Sequence, residues 1–137
     1  MKRLVLPGHS TSDSGVGDFR VSIQIARAKG ERIEPLRALV DTGSTFTWIP
    51  RDVLERLGVS PEQEWPFELA DGRDQRYPVA WVQIRLEERH EQPTIVVFAP
   101  PGSEPILGVV TLEEYLLAVD PVHHRLISVS GLAKRAA

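Results

Sequence analysis

The sequence contains no cysteine, no long apolar run and no large excess of charge of either sign. Without cysteine the chain can form neither disulfide bonds nor thiolate metal sites, which suits a reducing compartment. The apolar run near the N-terminus, Leu4-Val5-Leu6, stops at Pro7, and no stretch approaches the length of a membrane span. A formal net charge of −3 gives no reason to expect nucleic acid or an anionic membrane as a partner. We therefore predict a cytoplasmic protein.

What the sequence does contain is the composition of one globular domain. Its 137 residues are 42% hydrophobic and 26% charged, enough for a real core but too few for two lobes. Residues 8–17 are almost all turn-formers. We predict a flexible N-terminal segment at 1–18, a folded domain at 19–130 and a C-terminal tail at 131–137.

The chain is organised around one stretch in which an apolar run meets a carboxylate. Residues 38–40 are apolar and lead into Asp41, which Thr42, Gly43 and Ser44 follow before a second β-favouring run begins. This pattern predicts a strand, a tight loop and a strand, with Asp41 held on the loop. We expect Gly43 to adopt a backbone conformation that residues with a Cβ avoid and to let another chain approach closely. The hydroxyls of Thr42 and Ser44 can fix the loop and hydrogen-bond to a carboxylate.

Alternating apolar residues predict several short strands separated by turns. Phe19, Val21, Ile23 and Ile25 alternate with polar residues, and a turn at 28–31 leads into the strand that ends at Val40. Asp71-Gly72 is expected at the tip of a second hairpin, whose return arm alternates through Leu86. Many short strands argue for an all-β architecture, closed or sandwich-like. A turn at 87–92, a strand at 94–98 and a last strand at 126–129 complete the predicted set.

Two short helices are predicted among the strands. The first begins at Pro50, and Gly58 caps its C-terminus. The second begins with Thr111 as N-cap, Glu114 completes a capping box, and Asp120-Pro121 ends it. The predicted apolar faces are Val53, Leu54 and Leu57 for the first helix and Leu112, Tyr115, Leu116 and Val119 for the second.

Two motifs carry a resemblance to aspartic proteases. Asp41-Thr42-Gly43-Ser44 resembles their Asp-Thr-Gly-Ser/Ala active-site signature, and Trp48-Ile49-Pro50 is similar to the Trp-Val-Pro of pepsin-like members. Over residues 19–130 the order of predicted elements is similar to that of single-lobe, retropepsin-like members. The resemblance implies an all-β acid-protease lobe, a closed barrel with a flap hairpin and one or two short helices.

The resemblance also assigns roles within the Asp41 loop. Asp41 would be the catalytic residue, and Thr42 would hydrogen-bond to the opposite loop of a partner. Gly43 would contact the substrate backbone, and Ser44 would hydrogen-bond to the carboxylate.

Three further segments receive roles by the same resemblance. Ala70, Asp71 and Gly72 lie where the substrate-covering flap belongs, although the retroviral flap is richer in glycine. Ile106, Leu107 and Gly108 stand where an Ile-Leu-Gly element packs beneath the active-site loop, followed by Val109 where retroviral members usually carry Arg. Trp48 is either a core residue or a support behind the flap that hydrogen-bonds through its indole, with Tyr77 as a candidate partner.

The chemistry of such a site needs two carboxylates. Hydrolysis of a peptide bond without metal requires a base that activates water and an acid that protonates the carbonyl oxygen. Two carboxylates about 3 Å apart share one proton and supply both functions. The chain has a single Asp-Thr-Gly, so the resemblance implies a homodimeric aspartic endopeptidase without cofactor, acting on an extended peptide. The alternative is an inactive peptide-binding or assembly module of the same fold.

The remaining candidates are predicted to be structural. Asp13 precedes Ser-Gly, Asp71 precedes Gly, and Asp120 precedes Pro. These contexts are typical of turn and cap residues. The histidines do not have metal-ligand spacing, and adjacent ones in a strand would point to opposite faces, so no metal site is predicted. Trp65 and Trp81 are expected in the core or an interface. The four histidines are His9, His90, His123 and His124.

Overall fold

The computed structural model of the chain describes residues 4–5, 18–69 and 71–129. Most of the predicted N-terminal segment (1–18) and all of the predicted tail (131–137) lie outside the described residues. Two helices, α1 (Arg51–Arg56) and α2 (Val109–Glu114), accompany the strands in the described part. The strands are β1 (Leu4–Val5), β2 (Arg20–Ala26), β3 (Ile33–Val40), β4 (Thr47–Pro50), β5 (Gln63–Glu68), β6 (Asp74–Leu86), β7 (Glu91–Ala99), β8 (Ile106–Leu107), β9 (Leu117–Asp120) and β10 (Arg125–Ser128).

Six strands close into a ring. β6 pairs with β2, β2 with β3, β3 with β8, β8 with β4, β4 with β7, and β7 pairs back with β6. β5 forms a hairpin with the first half of β6, and β1 pairs in parallel with β5. β9 and β10 form a separate two-stranded sheet. The predicted all-β, closed architecture is confirmed.

The first hairpin follows the predicted alternation. Val21, Ile23 and Ile25 of β2 are buried, whereas Arg20 and Ser22 are exposed. At the turn, the Glu31 N–H donates to the Ala28 carbonyl at 3.1 Å, and Gly30 takes a φ of +82°, which favours glycine. Since one face of the hairpin is buried, its register delivers Val40, and therefore Asp41, to a fixed place at the edge of the core.

The core has two parts, of which the smaller supports the loop after β3. The larger lies inside the ring and includes Ile23, Ile84 and Leu107. The smaller, here called the aromatic cluster, joins the β5–β6 hairpin to β4 and β7. Burying each large side chain in it contributes about 1.5–3 kcal/mol. Its buried members are Phe46, Trp48, Phe67, Val79, Val97 and Ala99, with Trp65 and Tyr77 packed against them.

Helix α1 forms as predicted. Pro50 precedes its first residue, and Val53 and Leu54 are buried against the core. At its C-terminus the Gly58 N–H donates to the Glu55 carbonyl and the Val59 N–H donates to the Leu54 carbonyl. Gly58 has a φ of +80°, so the helix ends in the left-handed turn that glycine allows. Across the described residues, no helix is long and apolar enough to cross a membrane.

Helix α2 differs from the prediction at its start. Gly108 is the N-cap, and no side-chain cap hydrogen bond is present. Thr111 lies inside the helix and is fully buried, with its hydroxyl against those of Thr47 and Thr94. Glu114 accepts a hydrogen bond from Thr94 and does not reach back to the helix start. The capping-box prediction is wrong because tertiary contacts occupy both side chains.

The end of α2 was also wrongly predicted. The helix ends at Glu114, since Leu116 takes a left-handed φ of +56° and is exposed. The chain then forms β9 and β10, so Val119 lies in a strand, and Asp120-Pro121 begins the turn between these strands. Likewise, β7 begins at Glu91 and not near Thr94, because Glu91 and Gln92 already pair with β6.

The Asp120 carboxylate organises the β9–β10 turn. It accepts hydrogen bonds from the backbone N–H groups of Val122 and His123, and it contacts the His123 ring at 2.9 Å and Arg125 at 3.3 Å. The hydrogen bond with the His123 side chain is the main reason that the pKa of Asp120 falls to about 2, with the backbone donors adding to it. This agrees with the predicted turn role of Asp120.

We expect Asp120→Asn to lower the melting temperature at pH 7 and to matter less in acid. A carboxyl group with a lowered folded-state pKa stabilises the fold above its unfolded pKa of about 4, and this contribution is lost as the pH falls through about 2. Thermal denaturation of wild type and variant at pH 7, 4, 3 and 2 measures this. A difference in melting temperature that stays constant over that range would contradict the assignment.

Candidate active site

The Asp41 loop is a compact turn fixed by its own backbone. The Ser44 N–H donates to the Asp41 carbonyl at 3.0 Å, and the Gly43 N–H donates to the Asp41 carboxylate Oδ1 at 2.8 Å. The Asp41 N–H in turn donates to the Leu107 carbonyl at 3.1 Å. Asp41 is partly exposed, and Thr42 and Gly43 are exposed. The loop therefore presents its carboxylate to solvent from a backbone anchored on both sides.

Gly43 has limited space for a side chain and does not have an unusual backbone angle. Its φ is not among the positive values that the structure records for glycines. A Cβ placed on Gly43 would lie 3.2 Å from the Asp41 Oδ1 atom, tighter than most real contacts. The expected unusual backbone conformation is therefore wrong, and the missing Cβ leaves room for the Gly43 amide to approach the carboxylate.

Ser44 supports the loop from below. It is fully buried, and its hydroxyl donates to the Phe46 carbonyl at 2.8 Å. Because a serine hydroxyl has one proton, that proton is not available to Asp41 in this structure. The expected hydrogen bond from Ser44 to the carboxylate is therefore wrong; the donor to Asp41 is the Gly43 N–H.

The segment 106–108 lies directly against this loop. Ile106 and Leu107 pair with Leu39 and Val40 of β3, and Ile106 also pairs with Trp48 of β4. A Cβ on Gly108 would lie 2.5 Å from the Phe46 carbonyl carbon and 2.9 Å from the Ser44 carbonyl oxygen, and closer still to the Phe46 oxygen. Only glycine fits between the two segments.

The start of α2 binds the same loop. The Val109 N–H donates to the Ser44 carbonyl and the Val110 N–H donates to the Thr45 carbonyl, each at 2.9 Å. The first amides of a helix have no intrahelical partner, so these carbonyls satisfy them. The helix and the loop thus position each other.

The hairpin between β5 and β6 ends in a tight turn. The Leu69 N–H donates to the Arg73 carbonyl at 2.7 Å, and Gly72 has a φ of +88°. Asp71 accepts a hydrogen bond from the Arg73 backbone N–H, and this together with the Arg73 guanidinium lowers the pKa of Asp71. Ala70, the third predicted flap residue, lies outside the described residues.

Trp48 is a core residue. Only 4% of it is exposed, and its ring contacts those of Phe67 and Tyr77, with centroids 5.1 Å apart in both pairs. Through Trp48 the hairpin is packed onto the strand that follows the Asp41 loop. Trp65 packs edge-on against Phe46, whereas Trp81 is half exposed.

The other sequence candidates within the described residues contact partners outside the Asp41 loop. His123 and His124 occupy the β9–β10 turn and not a strand; His123 contacts Asp120, and His124 stacks on Phe19. His90 contacts Gln92, while His9 and Asp13 fall outside the described residues. Within the described ranges, no three His, Asp or Glu side chains are grouped so as to hold a metal ion. Two surface grooves follow β2 and β3, and neither is lined by the Asp41 loop.

The closed β-ring and its anchored carboxylate loop define a single acid-protease lobe. Comparison with protein families agrees: the aspartyl protease family matches residues 21–111, about two-thirds of the chain, so the chain belongs to that family. This membership confirms the resemblance drawn from the sequence. The fold is similar to the crystal structure of a retropepsin-like aspartic protease from Rickettsia conorii, with 14% identity, a TM-score of 0.46, and coverage of 78% of this chain and 88% of that chain. Curated protein sequences gave no match.

One group of residues at the site escaped the sequence analysis. Thr47, Thr94 and Thr111 come from β4, β7 and α2 and meet as buried hydroxyls next to Gly108. Each threonine is far from the others in sequence, and threonine is common in strands, so no local pattern marked them.

Proposed function

We propose that the chain is an aspartic endopeptidase of retropepsin type that acts as a homodimer, with Asp41 as the catalytic residue of each protomer. The observation that carries the proposal is that the Asp41 carboxylate is partly exposed and lies on a fixed loop. In the described structure it receives one hydrogen bond, from the Gly43 N–H to Oδ1, while the loop around it is fixed by buried partners. A rigidly held, partly exposed carboxylate is suited to meet a second carboxylate and a water molecule.

The reaction follows from the two carboxylates sharing a proton. Two Asp41 side chains across a two-fold axis could not both ionise at low cost, so one would be protonated at working pH. The ionised member takes a proton from water as the water attacks the peptide carbonyl, and the protonated member donates to the carbonyl oxygen, which gives a tetrahedral diol. The two members then exchange roles: the one that gained a proton donates it to the amide nitrogen, and the other takes a proton from a diol hydroxyl. The C–N bond breaks to release an amine and a carboxylic acid, and the pair again shares one proton. The apparent pKa values belong to the pair, so activity should show a bell-shaped pH profile.

The proposed substrate is an extended peptide between the Asp41 loops and the hairpins. Thr42 and Gly43 are exposed beside the carboxylate, with backbone groups that an extended peptide or a partner loop can reach. Asp71 and Gly72 form the hairpin tip that we assign as the flap. Pairing of main-chain groups would bind many sequences, with side-chain pockets setting preference.

A dimeric site makes activity depend on protein concentration. We expect the specific activity on a peptide library to rise with concentration and then level off, in parallel with the dimer fraction measured by sedimentation velocity. Below the dissociation constant, dilution by tenfold should reduce specific activity by up to about tenfold, because each protomer supplies half a site.

Two results would contradict the proposal. Specific activity that is constant while the dimer dissociates would place the whole site in one chain. A monomer without peptidase activity at any pH from 3 to 8 would favour the inactive peptide-binding or assembly module. The cytoplasmic location and the domain limits 19–130 stay predictions, testable by fractionation and by limited proteolysis.

A further inference from the structure

Three buried hydroxyls form a continuous chain under the Asp41 loop. The Thr47 and Thr111 hydroxyl oxygens are 2.7 Å apart, and those of Thr111 and Thr94 are 2.9 Å apart. All three side chains are fully buried. One end of the chain is the Gly108 N–H, which donates to the Thr47 hydroxyl at 3.0 Å; the other end is Glu114, which accepts from Thr94 at 2.8 Å. We call this set the threonine relay.

Counting protons fixes the direction of every hydrogen bond in the relay. A hydroxyl has one proton, and Thr94 uses its proton on the Glu114 carboxylate, which can only accept when ionised. Thr94 must therefore accept from Thr111, and Thr111 must accept from Thr47. Thr47 has then donated its proton and accepts from the Gly108 N–H. No member has a free choice of partner, so the relay has a single satisfied arrangement.

The relay joins the elements that hold the Asp41 loop. Thr111 belongs to α2, Thr47 to β4 and Thr94 to β7. The start of α2 donates to the Ser44 and Thr45 carbonyls, and Gly108 is packed against the Phe46 carbonyl. A shift of α2 relative to β4 would therefore move the backbone that carries Asp41.

We propose that Thr111, through this relay, is a positioning residue for the Asp41 carboxylate. The proposal rests on the proposed peptidase function and adds a requirement to it: the site needs the hydroxyl of Thr111 and not only its volume. Hydrogen bonds are directional, so the relay fixes the distance and rotation of α2 against two strands. Apolar packing of the same volume would fill the space without setting that orientation.

A pair of substitutions separates the hydroxyl from the volume. Thr111→Val keeps the shape but leaves the Thr47 hydroxyl without its acceptor and the Thr94 hydroxyl without its donor. Thr111→Ser keeps the relay and removes one methyl group. With folded dimer at saturating concentration, we expect Thr111→Val to lower kcat about tenfold with KM within about twofold, because a small misplacement of the reacting group costs rate more than binding. Thr111→Ser should keep kcat within about threefold of wild type.

A second measurement does not depend on catalysis. Hydrogen exchange of the Gly108 amide should be about tenfold faster in Thr111→Val than in wild type, and close to wild type in Thr111→Ser. If wild type cleaves no peptide, the proposed function fails while this exchange still tests the relay. If wild type is active and Thr111→Val matches it in kcat or in Gly108 exchange, the relay proposal is overturned.

Two further substitutions at exposed positions of α2 test the relay if Thr111→Val does not fold. Glu114→Met removes the acceptor at the exposed end of the relay, and Glu113→Met makes the same change one residue away, outside it. We expect a loss of kcat of about threefold and faster Gly108 exchange for Glu114→Met alone. Equal behaviour of the two variants would reject the relay as a positioning device.

Discussion

Replacing Asp41 with Asn is expected to reduce peptide cleavage by at least ~1000-fold while the dimer persists. The structure shows why the fold should tolerate the change. The only hydrogen bond recorded for the carboxylate within the described residues is received by Oδ1 from the Gly43 N–H, and the side-chain oxygen of Asn can accept it equally. Asn cannot take a proton from water, and it cannot share a proton with the same residue of the partner protomer.

The measurement is the initial rate of cleavage of a peptide library or a denatured protein between pH 3 and pH 8, with sedimentation velocity on the same samples. Asp18→Asn is the matched control, since it makes the same change of charge at an exposed position next to β2. We expect it to retain wild-type activity. Cleavage by Asp41→Asn at more than a few per cent of the wild-type rate would remove Asp41 from the mechanism.

The parts of this fold that local sequence encodes were predictable. Val21, Ile23 and Ile25 alternate because one face of β2 is buried, and Gly30 and Gly58 mark places where the backbone must take a positive φ. The Asp41 loop was found for the same reason, since an apolar strand leading into Asp-Thr-Gly is a contiguous pattern. In each of these segments the signal is a contiguous sequence pattern that can be recognised without the rest of the fold.

The parts that depend on distant contacts were not predictable. Thr111 followed by Glu114 has the spacing of a capping box, yet in the fold Thr111 meets Thr47 and Thr94, 64 and 17 residues away. Thr111 makes two buried hydrogen bonds, each contributing about 1 kcal/mol net, and together these outweigh the contribution of a cap, which is typically about 1 kcal/mol. Ser44 was assigned to the carboxylate by resemblance, but its hydroxyl donates to the Phe46 carbonyl two residues away.

The second large effect is expected from a substitution at Gly108, and the backbone angles of this residue show that the cause is steric. Its φ of −99° and ψ of 177° are extended values that any residue adopts. A side chain is therefore excluded by lack of space, since the nearest atoms to an added Cβ belong to the Phe46 and Ser44 carbonyls. Both belong to the backbone of the Asp41 loop, and backbone that is hydrogen-bonded on both sides cannot move aside cheaply.

We expect Gly108→Ala to lower the free energy of unfolding by about 3 kcal/mol or more, a fall in melting temperature of about 10 °C. Gly30→Ala is the matched control. Gly30 has a φ of +82°, but nothing lies within 4 Å of an added Cβ. We therefore expect only the backbone penalty of about 1 kcal/mol for this variant. Thermal and urea denaturation at one protein concentration compare the two. If Gly108→Ala is folded below its melting temperature, it should also lose most peptidase activity, since the added methyl group displaces the loop. Equal destabilisation of the two variants, with full activity in both, would show that segment 106–108 does not hold the Asp41 loop in place.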